Sequence, residues 1–362
     1  MLKTETITMI GRLLMTATIP LIIACASHNK KQLSGLDDEL IIYPAPPDTA
    51  RIQYLTYFSG SANLKKQKLT FKDFILGKRE TSRSIGKPYG VFIHDGKIYV
   101  CDQDIAGLRI VDLQKNTLED FSPRGLGQLK MPINCFVDDQ GRLYVADSER
   151  RQVVIFDENL RYLNSLGGEE NFKPTDVYVY EDKIFVVNIK DHFISVFSRE
   201  DHKFLSLFPR DVGEESAKIY QPTNLFVHEQ GVFVSDMGDF SIKKYSHEGD
   251  FISKTGSYGR NIGQFTRPKG IAVDREENLY VVDAGFENVQ VFNNKGQILM
   301  NFGGPYAGHG DMYLPAKIVI DYDNLEYFQE LVDRRYKLDY LILVSNQFGP
   351  DKINVYGRIS LN

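Results

Sequence analysis

From position 88 onward the sequence places a proline at a nearly fixed interval. Pro88, Pro132, Pro174, Pro222, Pro268 and Pro315 lie 44, 42, 48, 46 and 47 residues apart. An apolar run follows each, then a turn rich in Asp, Asn or Gly, then a second run dense in Val and Tyr. That second run stops at Asp102, Asp147, Asn188, Asp236, Asp283 and Asn346. The proline-to-Asp/Asn distance is 14 or 15 residues in the first five copies and 31 in the sixth, so the sixth holds an insertion. The copy at residues 263–304 reads as four strands, at 270–274, 279–282, 288–292 and 297–302, each bounded by Asp, Asn, Gly or Glu.

Four strands in about 45 residues make an antiparallel sheet that cannot cover both of its own faces, so copies must pack on one another. Six copies set radially give an all-β, six-bladed β-propeller, which forms one domain at this chain length of 362 residues. An open ring would leave a blade edge unpaired, an aggregation hazard. RIQYLTYF at 51–58 alternates as a strand, and it is expected to close the last blade as its outermost strand, beside a copy that ends at Tyr356. The insertion at 323–337 carries Leu325, Phe328, Leu331, Val332 and Tyr336 at helical spacing, with Asn324 or Asp323 as cap. It is expected to be a helix packed on the flank of blade six.

The expected domain layout is a signal segment at 1–24, an anchor and tether at 25–50, and the propeller at 51–362. Residues 13–24 form an apolar run too short to span a bilayer, as in a signal peptide. It ends in Leu21-Ile22-Ile23-Ala24-Cys25, which resembles a bacterial lipobox and implies lipidation of Cys25. With Ser27 in the second mature position, the resemblance implies an outer-membrane lipoprotein of the bacterial cell envelope. Residues 61–86 are Lys-rich without aromatic interleaving, as in a solvated connection. A formal net charge of −5 gives no reason to expect nucleic acid as a partner. Of the other cysteines, Cys101 and Cys135 fall at core positions of neighbouring blades and read as buried thiols.

The aligned copies resemble NHL repeats, most closely in Gly263-Gln264-Phe265, Pro268, Gly270-Ile271-Ala272-Val273-Asp274, Leu279-Tyr280-Val281-Val282-Asp283 and Val289-Gln290-Val291-Phe292. The absence of Trp argues against WD-type repeats. The stretches YPAPPDTARIQYL at 43–55 and VSNQFGPDKINVYG at 344–357 are similar to a group of bacterial six-bladed propeller lipoproteins, often encoded near multihaem c-type cytochromes. That resemblance implies envelope proteins as partners, multihaem cytochromes among them.

Propeller enzymes resembling this fold converge His, Asp or Glu on the central channel, where a metal needs three or more such groups. Here His94 and His228 sit at matched positions, but in blades one and four, on opposite sides of the ring. His192 and His309 read as solvated loop residues. The recurring Asp at the end of each second strand is expected to cap nearby backbone N–H groups. No phosphate loop, Gly-x-Ser-x-Gly elbow or haem-attachment motif occurs, and no cofactor is expected. The loops after the second strands differ from blade to blade and carry Arg150, Arg151, His192, Phe240, Phe286 and Phe348, a candidate partner-binding face. The expectation from sequence is therefore a non-enzymatic, protein-binding or scaffold propeller. The second expectation is a metal-dependent lyase or hydrolase with its site in the channel.

Overall fold

Alternating Val, Ile, Tyr and Phe between Gly, Asn and Asp turns leaves each repeat no option but strands, and five blades are regular four-stranded antiparallel sheets. The computed structural model describes residues 40–64, 83–210, 213 and 215–362. The residues expected to form a signal segment and a tether, 1–39 with Cys25 among them, and the Lys-rich stretch at 65–82 lie outside the described residues. Among the described residues no helix is long and apolar enough to cross a membrane.

The first strands of the six blades are Pro88–His94, Pro132–Val137, Pro174–Tyr180, Pro222–His228, Pro268–Val273 and Pro315–Asp321. Each touches the first strand of the next blade, and the sixth touches the first, so they form the inner wall of a closed ring. The second strands end on the corner residues: Lys97–Asp102, Leu143–Asp147, Lys183–Asn188, Gly231–Asp236, Leu279–Asp283 and Tyr336–Asn346. The six apolar clusters bury Val, Ile, Leu and aromatic side chains within the blades and between neighbouring ones.

Blade six is closed by the N-terminal strand Ile52–Phe58, which pairs antiparallel with the last strand, Ile353–Leu361. A two-residue strand, Ile42–Tyr43, adds a fifth member outside it, so Ile52–Phe58 is not the outermost. Sequence reading missed this because Pro44, Pro46 and Pro47 follow at once.

The insertion is not the expected helix. It consists of two 3-10 turns, Leu325–Tyr327 and Gln329–Leu331, after which the chain is claimed by the eleven-residue strand Tyr336–Asn346. Phe328 and Val332 are buried beside Phe58, while Leu331 is exposed, so no single helical face exists to be packed. The closing strand holds the insertion directly: Gln53 Nε2 donates to the Leu331 carbonyl at 2.9 Å, and the Asp333 N–H donates to Gln53 Oε1 at 3.0 Å. Asn324 makes no helix cap; it ties the insertion to blade one instead, accepting the Gly96 N–H at 2.7 Å.

The corner residues cap backbone, as the sequence suggests. Asp283 accepts the N–H groups of Thr266 at 2.8 Å, Arg267 at 3.0 Å and Gly285 at 2.7 Å. Asp102, Asp147 and Asp236 do the same for the residues just before their own prolines. Asn188 and Asn346 fill the role with an amide oxygen. Replacing Asp283 with Ala strands four backbone N–H groups and the Thr266 hydroxyl, and a loss of about 2–4 kcal/mol is expected in urea unfolding. Asp283→Asn, which keeps an acceptor as blades three and six do, is expected to lose roughly 1 kcal/mol.

Candidate functional site

Every first strand slips register against its second strand just past the proline, in all six blades. Such a bulge re-aims the side chains beside it. The residues two past each proline are Gly90, Asn134, Asp176, Asn224, Gly270 and Lys317. At Gly90 and Gly270 the neighbouring blade comes so close that a Cβ would lie 2.6 Å from Asn134 Cα and 2.7 Å from Lys317 Cα, respectively.

Lys317 of blade six reaches across the ring to Asp176 of blade three, Nζ to Oδ2 at 2.6 Å, and both side chains are buried. Asp176 Oδ2 also accepts from Leu225 N at 3.1 Å and Asn224 Nδ2 at 3.3 Å, and Oδ1 accepts from Val177 N at 3.0 Å. This transverse pair floors the channel. The side-chain oxygens of Asn134 and Asn224, both 0% exposed, have no hydrogen-bond partner. Beside the floor, Lys269 Nζ donates to the Tyr89 hydroxyl at 3.0 Å and lies 5.5 Å from the centre of that ring.

Inward of the floor lies a cavity of about 90 Å³. Its wall on blades one to four is a continuous arc of rings at equivalent positions: Phe92–Phe136 at 4.7 Å between centroids, Phe136–Tyr178 at 4.4 Å, and Tyr178–Phe226 at 5.2 Å. Val319 and Ile320 complete it from blade six. Burial, and then the negative charge of Asp176, pushes the Tyr178 phenol up, so it stays neutral and can donate a hydrogen bond. Phe92, Val319 and Ile320 also line a wider cavity of about 470 Å³, which opens at the other end among Asp95, Asp321, Tyr322, Asp323, Glu326 and Tyr327. There burial holds the Asp321 carboxyl above the usual range, although Asn324 donates to it through both its backbone N–H and its amide.

The residues singled out by sequence do not converge. His94 lines the wide cavity and His228 lines a separate crevice with Gln230 and Glu277. Among the described residues no three His, Cys, Asp or Glu side chains come together to hold a metal. Arg150 is spent locally, on Gln152 and the Gln128 and Leu126 carbonyls. Arg151, His192 and Phe240 share one loop position with φ of 59°, 63° and 50°, so that position is set by the turn. Phe240 packs on Tyr258 at 4.7 Å, Phe286 is half-buried, and Phe348 is exposed beside Tyr313. His309 is no simple solvated residue: its Nδ1 bonds Asp351 Oδ2 at 2.8 Å and its ring stacks on Tyr57 of the closing strand at 4.9 Å. Cys101 and Cys135 are buried free thiols, and burial pushes the Cys101 thiol well up. The floor itself was missed. Its signal was a polar or Gly residue at one fixed offset in an otherwise apolar strand.

No family model matches the chain. Among curated proteins it is similar to Protein brain tumor of Drosophila melanogaster, 28% identical over 67 residues, which is 18% of this chain. The matched part spans 6% of that relative's length. Among solved structures it is similar to a catalytically inactive virginiamycin B lyase from Staphylococcus aureus with quinupristin, at 12% identity and a TM-score of 0.53 over 75% of this chain and 95% of that one. A streptogramin B lyase superposes with a TM-score of 0.51 at 11% identity, over 76% of this chain and 94% of that one. A protein of unknown function from Bacteroides thetaiotaomicron gives 0.57 at 13% identity, over 86% of this chain and 76% of that one. At these identities the likeness defines the fold class, a six-bladed β-propeller. It also corrects the expectation of a non-enzymatic protein-binding or scaffold module: propellers of this shape include lyases, so the fold can be enzymatic.

A buried ion pair is sensitive to losing one member. Lys317→Met alone leaves Asp176 charged and unpaired and is expected to cost about 3–5 kcal/mol in chemical denaturation. The double variant Lys317→Met with Asp176→Leu is expected to recover most of that loss.

Proposed function

We propose that this protein takes a small ring-bearing molecule into its central channel and acts on it there. The observation that carries the reading is the aromatic-walled cavity whose lining includes Lys317, the buried ammonium held by Asp176. Apolar pockets with a few convergent polar groups are the usual form of a small-molecule site. Asp176 takes one N–H of the Lys317 ammonium, and an ammonium carries three. The remaining positive field can stabilise negative charge developing on a substrate oxygen, and the neutral Tyr178 phenol can donate a hydrogen bond. Stabilising such charge is a need of eliminations, and the likeness to lyases supports that class.

The reading of the repeats as NHL-type and of the chain as an envelope lipoprotein belongs to the same proposal. It is supported by the residues at 263–304 and by the lipobox-like run ending at Cys25.

The chain contains no Trp, so added indole excited at wavelengths beyond tyrosine absorption reports on the ligand alone. Titrating indole is expected to show saturable binding with a Kd on the order of 1 mM, about 4 kcal/mol. Val319→Phe, which fills the space shared by the two cavities, is expected to abolish it while circular dichroism stays unchanged. Equal binding by that variant, or no saturation with the native chain, would remove the channel reading.

A further inference from the structure

We propose that a second ligand site lies outside the channel, between blades five and six, and that it takes a small organic anion: a carboxylate carried on an apolar body. The inference is independent of the channel reading.

The site exists because the sixth copy is longer than the others. Its second strand, Tyr336–Asn346, has eleven residues and its third, Ile353–Leu361, nine, where the second and third strands of every other blade have five or six. In the added length Leu338 pairs with Ile359 and Tyr340 with Arg358, and the register slips at Asp339 between them. Such a bulge re-aims the side chains beside it. Together with the Arg275 turn of blade five and with Tyr322 and Leu325, this stretch lines a cavity of about 370 Å³. Tyr322 is the one residue it shares with the wide channel cavity; Asp323 and Glu326 line that cavity and not this one.

Three cationic side chains from three elements line it: Arg275, Lys337 and Arg358. Elsewhere Arg109, Arg142, Arg199 and Arg335 each lie against an aspartate. Among the described residues none of these three is ion-paired. Arg275 is held by a ring instead: its guanidinium carbon lies 3.9 Å from the centre of Tyr322, whose hydroxyl accepts the Arg275 backbone N–H at 3.0 Å. A guanidinium stacked on a ring face keeps the N–H fork at its edge free for an oxyanion. Arg358 gives Nη1 to the carbonyls of Arg51 at 3.2 Å and Ile359 at 3.1 Å, which leaves its Nη2 and Nε.

Two carboxylates, Glu276 and Asp339, also line the cavity, and Asp339 already accepts the Ser360 hydroxyl at 3.0 Å. Three positive charges against two leave an excess of one, which a single carboxylate balances, and a carboxylate matches the guanidinium fork. The rest of the wall offers carbon. The rings of Tyr322 and Tyr340 pack 4.9 Å apart, and the Tyr340 hydroxyl is committed to Asp274 at 2.8 Å.

Two probes share a ring that is excited beyond tyrosine absorption and differ in charge: 2-naphthoate and the neutral 2-naphthamide. In fluorescence polarisation at low salt 2-naphthoate is expected to saturate and to bind roughly tenfold tighter than 2-naphthamide, the gap narrowing as salt is raised. The double variant Arg275→Gln, Lys337→Gln is expected to close the gap with circular dichroism unchanged, since both side chains are exposed and Arg358, which holds the Arg51 carbonyl, is kept. Val319→Phe, in the channel, is expected to leave the gap as it is. Equal binding of the two probes, no saturation, or a preference that survives the double variant would overturn the proposal. A preference lost in Val319→Phe would put the anion in the channel and overturn it too.

Discussion

The constraint on which this molecule depends is the carboxylate or amide at each second-strand corner. In one blade Asp147 takes the N–H groups of Lys130, Met131 and Arg150, joining the end of one strand, the loop that follows it and the segment that leads into the strand beside it. A loop run over the end of a sheet has backbone donors to satisfy, and water cannot serve those that are buried. One side chain per blade does so, repeated around the ring. Because the capped segment stops at the proline, the proline starts the inner strand at a defined height, and the register slip just beyond it falls at a common level in all six blades. The channel floor is assembled at that level. Corner and floor are thus one arrangement seen from two sides.

The parts of the fold written as periodic pattern were legible in the sequence. Proline spacing gave the blade count, the corner residues gave their own capping role, and the alternation at 51–58 gave the closing strand. What escaped was set by contact between distant segments. Ile42–Tyr43 pairs only because Ile52 and Gln53 are already in the sheet. The sixth-blade insertion has helical spacing, but Gln53 and Phe58 hold it from below, and its last residues are drawn into a lengthened strand. The floor was illegible for a similar reason: nothing local tells Lys317 and Asp176, 141 residues apart, that they face one another. Of the loop residues chosen for their variety, Arg151, His192 and Phe240 occupy a shared left-handed turn position, which the strand-level pattern does not announce.

Seen chemically, the two ends of the ring have different characters. At the corner end backbone donors are consumed and the channel is stoppered by opposite charges. At the hairpin end the carboxylates of Asp95, Asp323 and Glu326 meet solvent, and apolar rings lie just behind them. The gradient gives the interior a direction, which is what a molecule entering from one side and reacting at depth requires.

The seam of blade six has a temporal consequence. Blades one to five are each woven from neighbouring sequence and can form as soon as their own residues exist, whereas the tyrosine-bearing strand Ile52–Phe58 must await Ile353–Leu361. At about 5–20 residues per second that wait is on the order of 15–60 s during synthesis. Through that interval the strand at the front of the ring has no mate, and the circle can shut only once Ile353–Leu361 exists.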